Sequence, residues 1–292
     1  MKLKEYIRLF SQRDVLKSMV LFGLLVILFM PVLHGLFHDL WKNNNDSHGL
    51  LVPFISLFLI WRNRHNIRAE QIKPSYSGLV LFIVSLCMLV LGYEGRIDVL
   101  PRIAFVTAII GLVLFNYGGK VFLQLAFPLV FLFFMIPVPV SIEDIVSFKL
   151  QLWVTQVSTV ILRALSITVL REGNILQFAN CSLEVAEACS GIRSLTAFVM
   201  LGCLFGYMMR GTFLRRLMMV IIAVPLAFFV NIVRVAGTGI LANYFGPSVA
   251  RGFLHEFSGI AVFLTGLLLF FLIYRFIEKK GDSTAQQESS HG

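Results

Sequence analysis

Long apolar runs separated by short polar segments dominate this chain. The runs are rich in Leu, Ile, Val, Phe and Met, and they approach the roughly 20 residues that a helix needs to cross a bilayer. Seven such runs occur, at 17–37, 78–93, 103–117, 121–136, 192–209, 217–233 and 253–276. The pattern therefore predicts a bundle of membrane-spanning helices.

An eighth apolar run, residues 50–61, is shorter than the others. A helix of this length extends only about 18 Å across a hydrocarbon core roughly 30 Å thick. We still predict that it crosses the membrane, because four basic residues follow it: Arg62, Arg64, Arg68 and Lys73. The polar segment 44–49 before it would then lie within the membrane profile. Polar backbone at that depth requires surrounding protein or a wet cavity.

Residues 145–166 differ from the spanning pattern. Lys149, Gln156 and Arg163 recur there every seven residues and so share one face of a helix. A charged stripe of this kind is typical of a helix that lies flat at the membrane interface. We therefore predict one interfacial helix in addition to about eight transmembrane helices.

The polar segments between the later runs suggest smaller elements. Residues 171–187 form the longest polar insert, and two short strands around Ala179–Asn180 are predicted there, as a small extracytoplasmic hairpin. Residues 237–251 contain glycines and are predicted to be a linker. Residues 1–278 are thus predicted to form one polytopic, all-α membrane domain, and residues 279–292 a polar, disordered tail.

Composition agrees with a membrane protein and excludes a soluble globular domain. Hydrophobic residues make up 58% of the chain and charged residues 14%, and the mean hydropathy is +0.83. The net charge of +9 does not call for a nucleic-acid partner. Basic residues that flank membrane segments on the cytoplasmic side explain it more simply.

The distribution of charge predicts the topology. With eight spans and a flat interfacial helix, both termini lie on one side. The segments assigned to that side hold 16 Lys/Arg and 6 Asp/Glu, whereas the rest of the chain holds 9 and 10. We therefore predict that both termini are cytoplasmic and that Cys189, Arg234 and His255 lie at the outer face.

Cys189 is the strongest candidate for chemistry. It stands where the polar insert ends and a long apolar helix begins, and a helix N-terminus stabilises a thiolate. Cys87 and Cys203 lie in the middle of predicted spans and are interpreted as packing residues. Cys181 lies in the same outer segment as Cys189, so the sequence leaves two readings open: a Cys181–Cys189 disulfide, or a free Cys189 nucleophile.

A cysteine nucleophile needs a base and an oxyanion stabiliser. The predicted topology places His65 and His291 in the cytoplasm and leaves four histidines on the outer side, at 34, 38, 48 and 255. Arg234 follows an apolar run in which Asn231 is its nearest polar neighbour, and an arginine near membrane depth needs a partner or a wet cavity. Arg193, just past Cys189, is either a substrate anchor or an arginine that reaches the headgroups.

Several of these motifs together resemble the exosortase/archaeosortase family. They are the run Glu187-Ala-Cys-Ser-Gly-Ile-Arg-Ser194, then Asn231-Ile-Val-Arg234, then His255, and the earlier run Ser47-His-Gly-Leu-Leu-Val-Pro53. The resemblance extends over roughly residues 45–275. A histidine stands where archaeal relatives carry a second arginine, so the bacterial branch fits better.

The resemblance implies a cysteine protease-transpeptidase of the bacterial inner membrane. Its substrates would be exported proteins with a C-terminal tail made of a Pro-Glu-Pro-type motif, an apolar helix and a basic end. The implied catalytic residues are Cys189, Arg234 and His255. We expect Arg193, Asn231, His48 and Glu187 to contribute to substrate binding. Membrane lipids are the other expected partners, and no cofactor or metal is implied.

A transporter or a lipid-binding membrane protein is the alternative. In that case Arg234 and the outer histidines would line a substrate cavity, and Cys189 would be structural. The chain has no internal repeat of the kind that transporters show, and no acidic residues in the middle of its spans. Both features favour the enzyme.

Overall fold

The structure is a computed structural model. It describes residues 12–42, 46–67, 71–179, 181–185, 191–209, 211–246 and 253–290, and of these only the backbone at 12–15, 66, 253–258, 260 and 280–290. The chain divides into two compact units, Met1–Pro139 and Val140–Gly292. Each unit buries its own set of apolar side chains.

The described part of the first unit contains six α-helices. They are α1 (Gln12–Leu28), α2 (Met30–Lys42), α3 (Val52–Asn63), α4 (Tyr76–Glu94), α5 (Val99–Tyr117) and α6 (Gly119–Phe131). Short 3-10 helices lie at Ser47–Leu51, Arg64–Asn66 and Leu132–Met135. The first two helices are bent by 68° relative to one another.

Glycines let α4 and α5 pack closely against each other. A Cβ atom on Gly78 would overlap the backbone of Phe115, and one on Gly92 would overlap the ring of Pro101. Small residues at such contacts bring membrane helices close enough for dispersion forces to hold them. The apolar runs at 78–93 and 103–117 therefore form one tight antiparallel pair.

Gly49, at the end of the polar segment before α3, packs against α2 and the 3-10 helix Leu132–Met135. Gly49 is buried, and a Cβ there would lie 2.8 Å from Cδ2 of Leu40 and 3.3 Å from Cα of Met135. Ser56 in α3 donates a hydrogen bond of 2.7 Å to the Pro128 carbonyl in α6. These contacts hold the short helix α3 against its neighbours.

The second unit begins with α7 (Val140–Ala164). A three-stranded sheet follows, made of β1 (Val169–Glu172), β2 (Ile175–Phe178) and β3 (Ser182–Glu184). The unit continues with α8 (Ile192–Met208), α9 (Phe213–Phe245) and α10 (Phe253–Ser290). The last helix includes the described part of the tail, where the sequence predicted disorder.

The two predicted strands are confirmed, and a third strand joins them. Strands β2 and β3 pair antiparallel, with Leu176 opposite Leu183. Strand β1 pairs antiparallel with β2 on the other side, which the sequence did not predict. The sheet packs on α7 and α9 through a core that includes Leu162, Leu176, Phe178 and Val235.

The face that α7 buries is polar. Its buried polar side chains recur at helical spacing, at Glu143, Ser147, Gln151, Thr155, Ser158 and Thr159. The predicted stripe of Lys149, Gln156 and Arg163 is exposed, but so are large apolar side chains such as Trp153. A helix that is apolar outside and polar inside is typical of a membrane bundle. By length and composition α7 is a candidate span, so its interfacial placement is not confirmed.

The linker predicted at 237–251 is wrong over the part that the structure describes. Helix α9 continues without a break through Gly237 and Gly239 to Phe245. Gly239 serves packing: a Cβ there would lie 3.0 Å from Leu162 and 3.3 Å from Phe178. The glycines therefore allow α9 to approach α7 and the sheet, and they do not end the helix.

Five helices of the described chain are long and apolar enough to cross a membrane. They are Tyr76–Glu94, Val99–Tyr117, Val140–Ala164, Phe213–Phe245 and Ala261–Lys279. The bent pair α1 and α2 raises the number to six if it counts as one span. The protein is therefore an all-α, multi-pass membrane protein, and the predicted number of eight spans is not confirmed.

Candidate functional site

Gly191 fixes the start of α8. Its backbone lies in the left-handed region, with φ +86°, which a glycine adopts without strain. A Cβ at this position would also lie 2.7 Å from Nδ2 and 2.9 Å from Cγ of Asn231 in α9. Conformation and close contact therefore both require glycine in the Cys-Ser-Gly run.

The first turn of α8 is held by local hydrogen bonds. The backbone N–H of Leu195 and the Oγ of Ser194 both donate to the Gly191 carbonyl, at 2.8 and 2.9 Å. Arg193 is exposed on this turn. Glu187 and Cys189, the predicted binding and catalytic residues before it, lie outside the described residues.

The chain is also held just before this segment. The backbone N–H of Val185 donates to the Asn174 carbonyl at 2.9 Å, and Nδ2 of Asn174 donates to the Val185 carbonyl at 3.4 Å. Val185 itself is buried against the sheet and its neighbouring helices. The sheet thus anchors the chain on one side of residues 186–190, and Gly191 anchors it on the other.

Asn231 is buried in the interior of the second unit. Only 3% of it is exposed, and it lies one helical turn before Arg234 on α9. It lines a cavity of about 10 Å³ with Gly191, Leu195 and Phe228, together with Leu150 and Ala227. A cavity of this size has room for about one water molecule. Because Asn231 shares this cavity with Gly191 and contacts it, the Asn231 carboxamide lies beside the start of α8.

Arg234 lies within α9, whereas the sequence predicted that it ends a span. The helix extends eleven residues beyond it, to Phe245, and the Thr238 hydroxyl donates to the Arg234 carbonyl at 2.9 Å. The guanidinium lies against α10. A Cβ on Gly259 would be 3.1 Å from Nη2, 3.2 Å from Cζ and 3.4 Å from Nε of Arg234.

His255 belongs to the first turn of α10, and its side chain is outside the described part. It precedes Gly259 by four residues, so the two positions share a face of the helix. That face is the one on which the Arg234 guanidinium lies. The structure thus brings two predicted site positions, Arg234 and His255, to the same part of the second unit.

The remaining candidate site residue, His48, belongs to the first unit. It lies in the 3-10 helix Ser47–Leu51 and is half-buried. His34 and His38 lie on the exposed side of α2, and His38 is within 3.7 Å of the Asp39 carboxylate. Arg102 of α5 donates to the same carboxylate.

The described residues contain no group of three or more His, Cys, Asp or Glu side chains that could hold a metal ion.

Cys181 is a free thiol, half-buried between the sheet and α9. Its Sγ donates a weak hydrogen bond of 3.7 Å to the Ala242 carbonyl. Cys203 is a free, half-buried thiol within α8, in keeping with its interpretation as a packing residue. Cys87 is a free thiol exposed on α4, so its interpretation as a packing residue is wrong.

Sequence reasoning missed the contribution of Gly259. Its four-residue spacing from His255 was the only available signal, and nothing in the sequence connects it to Arg234. The buried polar face of α7 was also missed, because the charged residues on the opposite face dominate the pattern.

The helices, the buried Asn231 and the half-buried Arg234 define a multi-pass membrane protein with a polar site built on α8, α9 and α10. The family model described as transmembrane exosortase (Exosortase_EpsH) matches residues 40–272. The chain therefore belongs to the transmembrane exosortase family. Neither the search of curated proteins nor that of solved structures found a match.

Proposed function

We propose that this protein is a membrane-embedded cysteine protease-transpeptidase that cleaves C-terminal sorting tails from exported proteins. Membership of the exosortase family suggests the class of enzyme. One observation carries the assignment of the site. Asn231 and Arg234, one turn apart on α9, contact Gly191 and Gly259, which lie two residues after Cys189 and four residues after His255.

Cys189 is the proposed nucleophile. Two residues span at most roughly 7 Å, so Cys189 cannot be far from Gly191 and the Asn231 carboxamide beside it. A position just before a helix favours the thiolate over the thiol, because the unpaired N–H groups of the first turn attract negative charge. The free thiol of Cys181 supports a Cys189 that is not committed to a disulfide.

The proposed reaction has two steps. In the first, the Cys189 thiolate attacks the scissile carbonyl, the Arg234 guanidinium stabilises the oxyanion, and His255 gives a proton to the leaving amine as the C–N bond breaks. A thioester to Cys189 remains. In the second, water, or an amine or hydroxyl of an envelope acceptor, attacks the thioester, its proton passes to the now neutral His255, and the C–S bond breaks to release the thiolate.

The substrate tail supplies the remaining recognition. We propose that its apolar helix lies in the bilayer beside the spans, with its basic end in the cytoplasm and its Pro-Glu-Pro-type motif at the outer face. Arg193 is exposed next to the site and suits an acidic group in that motif. Asn231, His48 and Glu187 are further binding candidates, the last of them for a basic group.

The proposed topology has eight crossings, with both termini in the cytoplasm of a bacterial inner membrane and the site at the outer face. The length of α9, in the second unit, supports this topology. A Cβ on Gly206 would lie 2.7 Å from the Arg216 carbonyl at one end of α9, and Cys181 contacts Ala242 near the other end. The 26 residues between 216 and 242 extend roughly 39 Å along a helix, more than the hydrocarbon thickness of about 30 Å.

Replacement of the two outer cysteines tests the function. Cys189→Ala should abolish processing of a co-expressed reporter protein that carries a Pro-Glu-Pro motif, an apolar helix and an arginine-rich end. Cys181→Ser should keep processing near the wild-type rate, because its thiol only contacts a backbone carbonyl. Processing by Cys189→Ala would refute the enzyme and favour a transporter or lipid-binding role. Loss in both variants at normal expression would favour a structural disulfide.

A further inference from the structure

Gly259 has no conformational reason to be glycine. It lies inside α10, and its φ is not in the left-handed region that favours glycine. Glycine destabilises a helix interior relative to alanine because it loses more backbone freedom on folding. The reason for glycine at this position must therefore be a contact that a side chain would prevent.

The Arg234 guanidinium occupies the space that a side chain would need. The Cβ position of Gly259 lies 3.1 to 3.4 Å from three guanidinium atoms, Nη2, Cζ and Nε. Contact with all three means that the planar group lies across the bare helix backbone at Gly259. An added methyl group would therefore force the guanidinium to move by a few tenths of an ångström.

Gly266, two turns further along α10, provides a contrast. A Cβ there would meet only apolar side chains, at 2.6 Å from Cγ2 of Val230 and 2.9 Å from Cζ of Phe198. It is buried in the core that joins α8, α9 and α10. Gly266 is thus a helix-packing residue, whereas Gly259 meets a charged group of the proposed site.

We propose that Gly259 is a positioning residue, whose missing side chain sets the place and orientation of the Arg234 guanidinium one helical turn from His255. The inference rests on the proposed function, in which that guanidinium stabilises the oxyanion. An oxyanion donor acts only within a narrow range of distances, and a misplacement of about 1 Å can cost roughly 100-fold in rate. A shift of the guanidinium by a few tenths of an ångström should therefore lower the cleavage rate by a measurable factor.

The test uses purified full-length enzyme in detergent micelles and a synthetic peptide carrying the complete sorting tail. Gly259→Ala should lower kcat about tenfold and leave KM within about twofold, because the guanidinium moves while tail binding is unchanged. In an Arg234→Lys background the same Gly259→Ala change should cost less than about twofold, since no planar group remains to be displaced. Equal losses in both backgrounds would overturn the proposal.

Gly266→Ala is the matched control. It should lower the thermal stability of the enzyme and leave kcat of the folded fraction within about twofold of wild type. A tenfold loss of kcat in Gly266→Ala as well would mean that any widening between α9 and α10 has the same effect, and the specific role of Gly259 would be lost. If Gly259→Ala failed to insert, Arg234→Ala in the same chain should restore insertion, and failure to restore it would contradict the proposal.

The proposed enzyme activity and the positioning role of Gly259 can be tested separately. Cleavage of the tailed peptide by Cys189→Ala would refute the proposed function itself. Loss of cleavage in Cys189→Ala and Arg234→Lys together with a wild-type rate in Gly259→Ala would refute only the positioning role.

Discussion

Two glycines define the proposed site as much as its polar side chains do. Gly191 allows the Asn231 carboxamide to contact the start of α8, and Gly259 allows the Arg234 guanidinium to contact α10. Polar groups in a membrane protein are costly unless protein surrounds them, so close backbone contact helps to retain them at that depth. A residue with a side chain at either position would separate groups that the proposed reaction needs together.

Arg234 should act through its planar pair of donors and not through charge alone. Lysine carries one flexible ammonium and matches an oxyanion less well. Loss of an oxyanion donor costs roughly 100- to 1,000-fold in rate. Arg234→Lys should therefore insert normally and bind the tailed reporter, but cleave it at least about 100-fold more slowly. Processing at the wild-type rate would leave Arg234 as an arginine that merely reaches the headgroups.

The histidines provide the controls for that experiment. His255→Ala should resemble Arg234→Lys, because it removes the proposed acid. His34→Ala, His38→Ala and His65→Ala should stay near wild type, since all three side chains are exposed and none belongs to the proposed site. A comparable loss in any of these three would mean that the site has been assigned too narrowly.

Gly191→Ala should be more harmful than an ordinary helix substitution. A left-handed backbone costs a residue with a side chain about 1–2 kcal/mol, and the new Cβ would also lie 2.7 Å from Asn231. We expect a lower melting temperature in detergent and slower processing. Gly237→Ala is the control, because it lies in α9 with nothing within 4 Å of its Cβ position. Equal stability of the two variants would contradict the role of Gly191.

At the scale of elements, α9 joins the parts of the second unit. It contacts α8 near Gly191, α10 near Gly259, and α7 and the sheet near Gly239. The sheet in turn holds the chain at Val185, just before the segment that contains Cys189. The sheet therefore holds the chain next to the proposed nucleophile, Cys189, although it supplies none of the predicted catalytic residues.

Much of this architecture follows from the sequence, and the exceptions have physical causes. Apolar length predicted the helices, and alternating residues predicted the β2–β3 hairpin. The linker prediction was wrong over residues 237–245 because glycine in a membrane helix commonly serves close packing, whereas in soluble proteins it often ends a helix. Contacts such as that of Gly259 with Arg234 join residues from different helices, and helical spacing within one segment contains no information about them.

Docking of the sheet should be necessary for activity. Leu176 in β2 is fully buried between the sheet and its neighbouring helices. Leu176→Ala should cost about 2–5 kcal/mol of stability and should slow processing by loosening the anchor at Val185. Leu170 in β1 is 57% exposed, so Leu170→Ala should stay within about 0.5 kcal/mol of wild type. Unchanged processing by a destabilised Leu176→Ala enzyme would show that activity does not depend on docking of the sheet.

At the scale of the whole molecule, the topology decides whether the site can meet an exported substrate. The inner segments of the proposed arrangement hold 16 Lys/Arg and 6 Asp/Glu against 9 and 10 elsewhere. The sheet lies near one end of α9 and Arg215 and Arg216 lie at the other, and this helix is longer than the bilayer is thick. A complete crossing by α7 would instead put the sheet on the cytoplasmic side, where the charge distribution opposes it.

Labelling of single cysteines in spheroplasts by a membrane-impermeant maleimide distinguishes these arrangements. In a chain without its four native cysteines, Ser182→Cys in the exposed part of β3 should be labelled in intact spheroplasts. Thr212→Cys, before α9, and Ser283→Cys, in the tail, should be labelled only after permeabilisation, because both are proposed to face the cytoplasm. Labelling of Thr212→Cys in intact spheroplasts, or protection of Ser182→Cys until lysis, would place the site on the wrong side of the membrane for an exported tail.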